Sequence, residues 1–318
     1  MEYMEYAKER GVHTAILNYL DMKKEDFYQV ETTVKGRCYI TARGWEDLSE
    51  MLKLYEEEQI AVEESFVGQY LRHERVVREF TAYYDLYRKY RNDYKAEEIL
   101  TGIVSEQAKD KARKADFDER LSLMGMLIDR IQQDIRENML ESQILSELMN
   151  PLRVLKAKAE AGETAQELAV LAGKQAQGRQ KAMESLQKAG ALSVRDKRLN
   201  KAAAGFLFAC EKTLRLAKTE DGREGFGCVK EQFDAKVAKY KQDTEWVKER
   251  LHFLFQFVED TFGSGNEMLI LVTECTVQAD CAKFISLYGC EDYQRHNEEL
   301  MLTERGSELT ARIEELEL

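Results

Sequence analysis

Proline is almost missing from this chain: of 318 residues only Pro151 is one, where average usage of about 5% would give roughly sixteen. Proline breaks helices and punctuates loops, so its scarcity predicts long uninterrupted helices. Six cysteines, Cys38, Cys210, Cys228, Cys275, Cys281 and Cys290, are scattered and follow no secretory signal. That usage predicts free thiols in a cytoplasmic protein. No apolar run approaches the roughly eighteen residues a membrane helix needs, so no membrane span is expected.

Catalytic signatures are equally scarce. The four histidines, His13, His73, His252 and His296, are isolated and lack a His-Glu-x-x-His pairing. Cys275, Cys281, Cys290 and His296 invite a zinc reading, but separations of six, nine and six residues do not match paired knuckles. They read as core residues, and no metal is expected. The only Gly-Lys pair, Gly173-Lys174, is followed by Gln175 and has Leu168 where the first glycine of a P-loop belongs. Gly222, Gly225 and Gly227 have no preceding strand and no suitably placed lysine, so they read as a hinge loop. Leu269–Glu274 imitates a magnesium-holding strand but lacks the aspartate, and reads as buried helix. Catalysis has no candidate residue, and no ATP hydrolysis is expected from this chain alone.

What the chain does have is charge. A third of its residues are Asp, Glu, Lys or Arg, and Ala, Leu, Glu, Lys and Gln are abundant, which predicts an all-α fold. The net charge is −12, unevenly spread. Residues 151–218 hold 14 Lys and Arg against 6 Asp and Glu, a local +8 that leaves −20 on the remainder. A basic section in an acidic protein is a nucleic-acid signal. This one has few aromatics beyond Phe206 and Phe208, so base stacking has little to work with and nucleic acid is not the expected partner.

Apolar spacing organises the rest. Residues 1–35 read as short helices with a turn near Asp21–Lys24, and Gly36 to Ile40 as an extended piece. A helix over 42–58 presents Trp45, Leu48, Leu52 and Tyr55, and a second and third follow near 63–72 and 74–94. The last carries a stripe of Phe80, Tyr83, Tyr87, Tyr90 and Tyr94. Around 95–115 the pattern turns charged and less periodic, which places a domain boundary there. From Phe117, heptad steps through Leu121, Met124, Ile128, Ile131 and Ile135 predict a long bundle helix, interrupted at Asn138 and Ser142 and ended by a turn at Asn150-Pro151. Residues 152–190 show a thin apolar face and read as an exposed or mobile arm, with a helix stop and new N-cap at Gly190–Ser193. Phe233, Val237, Tyr240, Thr244, Val247, Leu251, Leu254 and Val258 form a second seam, expected to lie against the helix over 117–149 or its neighbours. Phe262–Gly265 ends it, and Ser307 reads as the cap of an acidic C-terminal helix.

One position stands out against this background. Thr41 reads as an N-cap, which puts Arg43 in the first turn of the next helix. That turn carries the positive end of the helix dipole, where a cation is disfavoured unless an anion sits beside it. Free amides at a helix start bind phosphate, and an arginine adds a bidentate partner. The spacing therefore suggests an arginine aimed at a phosphate.

The run ITARGWEDLSEMLKLYE (40–56), with Phe66–Leu71, Phe80–Tyr84 and the upstream Thr14–Leu20 and Phe27-Tyr28, resembles the lid subdomain of MoxR-like AAA+ ATPases. The resemblance covers roughly 1–95. Residues 96–318, including Gly265–Met268 and Tyr293–Asn297, look like a long helical extension found in a bacterial subset, with a basic arm at about 151–218. In that family a Thr/Ser-x-Arg opening a lid helix is the sensor-2 element, which contacts the γ-phosphate of ATP. The resemblance carries over Arg43 as the sensor and Thr41 as its cap. It implies ATP only where a P-loop core is supplied, in cis or in trans, and a von Willebrand A domain protein as partner. The alternative is a stand-alone helical scaffold or adaptor with no nucleotide role.

Overall fold

In the computed structural model, residues 6–300 are described apart from 8, 9, 34, 35 and 218, with side chains except at 21–22, 31–37 and 90–93. Ser307 and the acidic C-terminal helix lie outside the described residues, as does the Tyr90 side chain. The chain is all-α with a single β-hairpin among the described residues. Its elements run α1 (Thr14–Met22), β1 (Gln29–Thr33), β2 (Gly36–Ile40), α2 (Ala42–Glu57), α3 (Glu64–Val67), α4 (Glu74–Tyr94), α5 (Ala96–Leu100) and α6 (Glu106–Lys114). They continue through α7 (Phe117–Glu160), α8 (Ala165–Lys188), α9 (Val194–Leu216), α10 (Gly222–Phe262), α11 (Asn266–Val277) and α12 (Ala279–Tyr288) to helical residues 291–300.

Two compact units divide the chain, and neither is one contiguous stretch. The first comprises Met1–Gln132, Arg250–Ala282 and Gly289–Leu318; the second comprises Gln133–Glu249 and Lys283–Tyr288.

In the first unit, β1 pairs antiparallel with β2, from Gln29 opposite Ile40 to Thr33 opposite Gly36. The short-helix reading of 1–35 is thus corrected over 29–33. Val30, Thr32 and Thr33 are β-branched, and such residues favour the pleated conformation. The amphipathic α2 buries Trp45, Leu48, Ser49 and Leu52. From α4, Phe80, Tyr84, Tyr87 and Tyr94 are buried, and Tyr83 is half-buried. Tyr84 thus joins the expected stripe. Tyr19 and Trp45 both meet the Phe80 ring with centroids 5.3 Å apart.

A polar knot pins this aromatic layer. Asp26, fully buried, accepts from the Tyr19 hydroxyl (2.8 Å), the Arg75 guanidinium (2.6 Å) and the Gln29 amide (3.0 Å). A buried carboxylate is tolerable only when its lone pairs are satisfied in this way. Arg75 and Lys23 in turn both pair with Glu79.

The second unit has a core of its own, drawn from α7 (Leu140, Ile144, Leu148, Leu152, Leu155), α8 (Leu168, Ala169, Ala172, Ala176), α9 (Ala203, Leu207, Cys210, Leu214) and Val229 of α10. Here the structure corrects four expectations. Pro151 makes no turn, because α7 runs through it to Glu160. A proline inside a helix costs about 3 kcal/mol. Burying Leu148, Leu152 and Leu155 on one continuous face offsets more than that, at about 1.5–3 kcal/mol each.

The arm reading fails for the first half of α8. Leu168, Ala169, Ala172, Gly173 and Ala176 are buried against α9. The face is small-sided rather than thin, which lets two helix axes approach closely. From Gln177 to Lys188, by contrast, only Arg179 and Met183 are not exposed.

Gly222–Gly227 is no hinge loop but the first turns of α10. A β-carbon on Gly222 would lie 1.9 Å from the Glu163 carbonyl oxygen. The glycine is there for backbone contact with the start of α8, which also takes a hydrogen bond from Ala165 N–H to the Glu220 carbonyl (3.1 Å).

The two predicted seams meet within this unit. Asn138 donates to Thr244 across the α7–α10 contact at 3.0 Å, both side chains being buried, and Lys236 pairs with Glu141. Asn138 therefore does not interrupt the seam but forms a polar layer in it. The Gly190–Ser193 stop is present, with Ser193 Oγ accepting from Asp196 N–H to cap α9.

Candidate functional site

Arg43 owes its position to three local devices. Thr41 leaves β2 in an extended conformation, and its Oγ1 accepts from Gly44 N–H at 3.1 Å, the capping geometry expected from sequence. Gly44 permits a close crossing, since a β-carbon there would stand 2.8 Å from the Tyr70 carbonyl oxygen. Trp45 then anchors the turn: its ring is fully buried, and its indole N–H reaches the Asp26 carbonyl at 3.3 Å. A two-residue bridge between Tyr39 and Arg72, with N–H to O distances of 3.0 and 3.1 Å, fixes the end of β2. Arg72 also lays its guanidinium over the Tyr39 ring, 5.6 Å from the centroid.

The result is a rigid turn with an open outer face. Among the described residues the Ala42 and Arg43 amides have no hydrogen-bond partner, and the first turn of α2 holds no acidic residue. The Arg43 side chain is 87% exposed. Its one ion-pair partner among the described residues is Asp47, one turn on, with Nε to Oδ2 at 3.6 Å. Sequence reasoning did not assign Asp47 this role, although i to i+4 spacing signals it. An exposed pair of this kind contributes about 0–1 kcal/mol, so it leaves the guanidinium available to a stronger anion.

Among the described residues, the clusters singled out by sequence lack catalytic geometry. His13 Nδ1 accepts from Ala15 N–H (3.1 Å), which leaves Nε2 to face Glu56 at 3.2 Å. Ser49 Oγ accepts from the His13 backbone N–H at 2.8 Å, and its bond is not to the imidazole. The set holds α1 against α2 and α4, with Tyr84 also donating to Glu56 (3.1 Å), and presents no activated hydroxyl. Gly173-Lys174 lies inside α8, where a β-carbon on Gly173 would stand 2.6 Å from the Glu211 carboxylate. No phosphate loop can form on that backbone. Leu269–Glu274 lies inside α11.

Cys210, Cys275 and Cys281 are core thiols, Cys290 is half-buried and Cys228 is exposed. Cys275 and Cys281 are buried, and the hydrogen bond between them, then burial, pushes the Cys275 thiol well above the ordinary range. Burial pushes Cys290 up to about 11 and Cys210 up to about 12. Protonated thiols are poor nucleophiles. His296 is buried with its ring stacked on Phe255, centroids 6.1 Å apart. Among the described residues, no three His, Cys, Asp or Glu side chains are grouped as a metal ion would need. No helix of the described residues is long and apolar enough to cross a membrane.

A groove of about 450 Å³ in the second unit has Leu140, Ile144 and Val247 in its lining beside Glu137, Arg198 and Lys239. Glu141 and Lys236 also line it, and they pair with each other. No protein-family model, no curated protein and no solved structure matches the chain.

Proposed function

We propose that this chain is the lid and helical interaction region of a MoxR-like AAA+ ATPase, in which Arg43 reads the γ-phosphate of ATP held by a P-loop core in cis or in trans. One observation carries the reading: Arg43 stands exposed on a capped helix start with free amides and no acidic residue in its first turn. Such a turn adds backbone donors and dipole to a guanidinium that can fork onto two phosphate oxygens. Because Trp45 and Asp26 lock the turn to the aromatic layer, a pull on Arg43 would move the first unit as a body. The second unit, with its long helices, would be the docking region, and a von Willebrand A domain protein is the partner class that the resemblance implies. Among the described residues no disulfide joins the cysteines, which supports a reducing, cytoplasmic setting.

In the polypeptide or complex that carries both this chain and its core, Arg43→Ala should lower ATP turnover at least about tenfold. A hydrogen bond to a charged group is worth about 1.5–3 kcal/mol, and 1.4 kcal/mol is tenfold. Unchanged turnover removes Arg43 from the sensor role. The competing reading, a scaffold without a nucleotide role, draws on the Arg43–Asp47 pair, which already gives the arginine an anion. It predicts that unchanged turnover.

A further inference from the structure

The distal half of α8 is exposed on nearly every side, although a helix stripped of a buried face has little to hold it. With the start of α9 it forms the tip of a hairpin. Residues 177–201 carry seven cations, Arg179, Lys181, Lys188, Arg195, Lys197, Arg198 and Lys201, against only Glu184 and Asp196. Arg179 is taken by Glu147 and Asn200, and Arg195 bonds Gln143. Lys181, Lys188, Lys197 and Lys201 are exposed and have no ion pair among the described residues. Leu186, 45% exposed, sits among them.

A surface of opposite character lies where α2 ends and α3 begins. Residues 54–64 hold five glutamates, Glu56, Glu57, Glu58, Glu63 and Glu64, and no lysine or arginine. Glu57, Glu58, Glu63 and Glu64 are exposed and have no ion pair among the described residues. Arg88, half-buried, donates to the Ile60 carbonyl at 3.5 Å rather than to these carboxylates. Leu54 and Ile60, 46% and 47% exposed, give this knob an aliphatic centre as well. Gln59, with φ of 55°, makes the sharp turn that presents them.

We infer that the basic hairpin tip of one copy docks on the acidic α2–α3 knob of a second copy. The segment charges are +5 and −5, and each patch surrounds exposed aliphatic side chains that a contact would cover. A second copy is favoured over nucleic acid because the tip has aliphatic Leu186 at its centre and no exposed aromatic ring to stack on bases. The pairing is met by reciprocal contacts in a two-fold dimer or by head-to-tail contacts in a ring or chain.

The test is sedimentation of the full chain at about 50 mM and about 500 mM NaCl, across which the screening length falls severalfold. The wild type should self-associate at low salt, with Kd at least tenfold weaker at high salt. A tip-reversed chain (Lys181, Lys188, Lys197 and Lys201 each→Glu) and a knob-reversed chain (Glu57, Glu58, Glu63 and Glu64 each→Lys) should each be monomeric. Mixed, they should co-assemble in equal proportion, since the intact tip then meets the intact knob and the reversed tip meets the reversed knob. A chain with both reversals should associate again, which rules out misfolding as the cause. The inference is overturned by a wild type that stays monomeric at low salt, by association that survives either reversal, or by a mixture that does not pair. Binding of duplex or single-stranded nucleic acid more tightly than self-association, lost on tip reversal, would also overturn it.

Discussion

Replacing Thr244 with valine should destabilise the second unit more than replacing Asn138 with leucine, and the reason is an asymmetry in their hydrogen bonds. The Thr244 hydroxyl serves two partners, accepting from the Asn138 amide at 3.0 Å and donating to the Tyr240 carbonyl at 2.8 Å. Asn138, buried in the same seam, has only Thr244 as a side-chain partner among the described residues. Thr244→Val therefore strands a buried amide, at a cost of about 1–3 kcal/mol. Asn138→Leu leaves the hydroxyl still donating to Tyr240. The loss of one net hydrogen bond, about 1 kcal/mol, is then largely offset by apolar burial, so about 0–1 kcal/mol is expected. The double substitution removes both polar groups and should cost no more than Asn138→Leu alone, giving a coupling of about 1–3 kcal/mol. Urea-dependent hydrogen exchange of the α10 amides around 240–248 reports this unit alone. A larger cost for Asn138→Leu than for Thr244→Val, or strict additivity of the two, would refute the reasoning. A stable double variant would also tell what the polar layer is for, because polar residues in such seams commonly set register.

Three further outcomes can be checked. Asp26→Ala should cost about 3 kcal/mol in urea unfolding, the low end for breaking a buried pair, because Arg75 is 42% exposed and keeps Glu79. Gly222→Ala should lower the melting temperature while Gly173→Ala leaves it nearly unchanged: the first β-carbon meets the Glu163 backbone, the second only the movable end of Glu211. Glu79 is held below its ordinary value of 4.5, first by the hydrogen bond from Lys23 and then, against burial, by that from Arg75. A depressed carboxylate stabilises the fold above that ordinary value and loses the contribution as pH falls through the folded one. Glu79→Gln should therefore flatten the loss of stability below about pH 4.5, modestly because the side chain is 34% exposed.

Much of this protein is decided locally and could be read from its residues. Proline scarcity, three-four spacing and cap residues predicted the helical class, the start of α2 at Thr41, the span of α4 and the Ser193 cap, because each depends on neighbours within a turn or two. The Arg43 turn was legible for the same reason. Tertiary contacts decided what spacing could not. Whether Pro151 ends α7 depends on three leucines finding a common core. Whether Ala169, Ala172 and Gly173 count as a face depends on how closely α9 approaches. Gly222 reads as a hinge until the Glu163 carbonyl is seen against it. Asp47 beside Arg43, Thr244 opposite Asn138 and Asp26 beneath Trp45 pair across 4, 106 and 19 residues respectively. Sequence periodicity carries the phase of each helix, but the free energy of a buried polar group is set by the partner that folding brings to it.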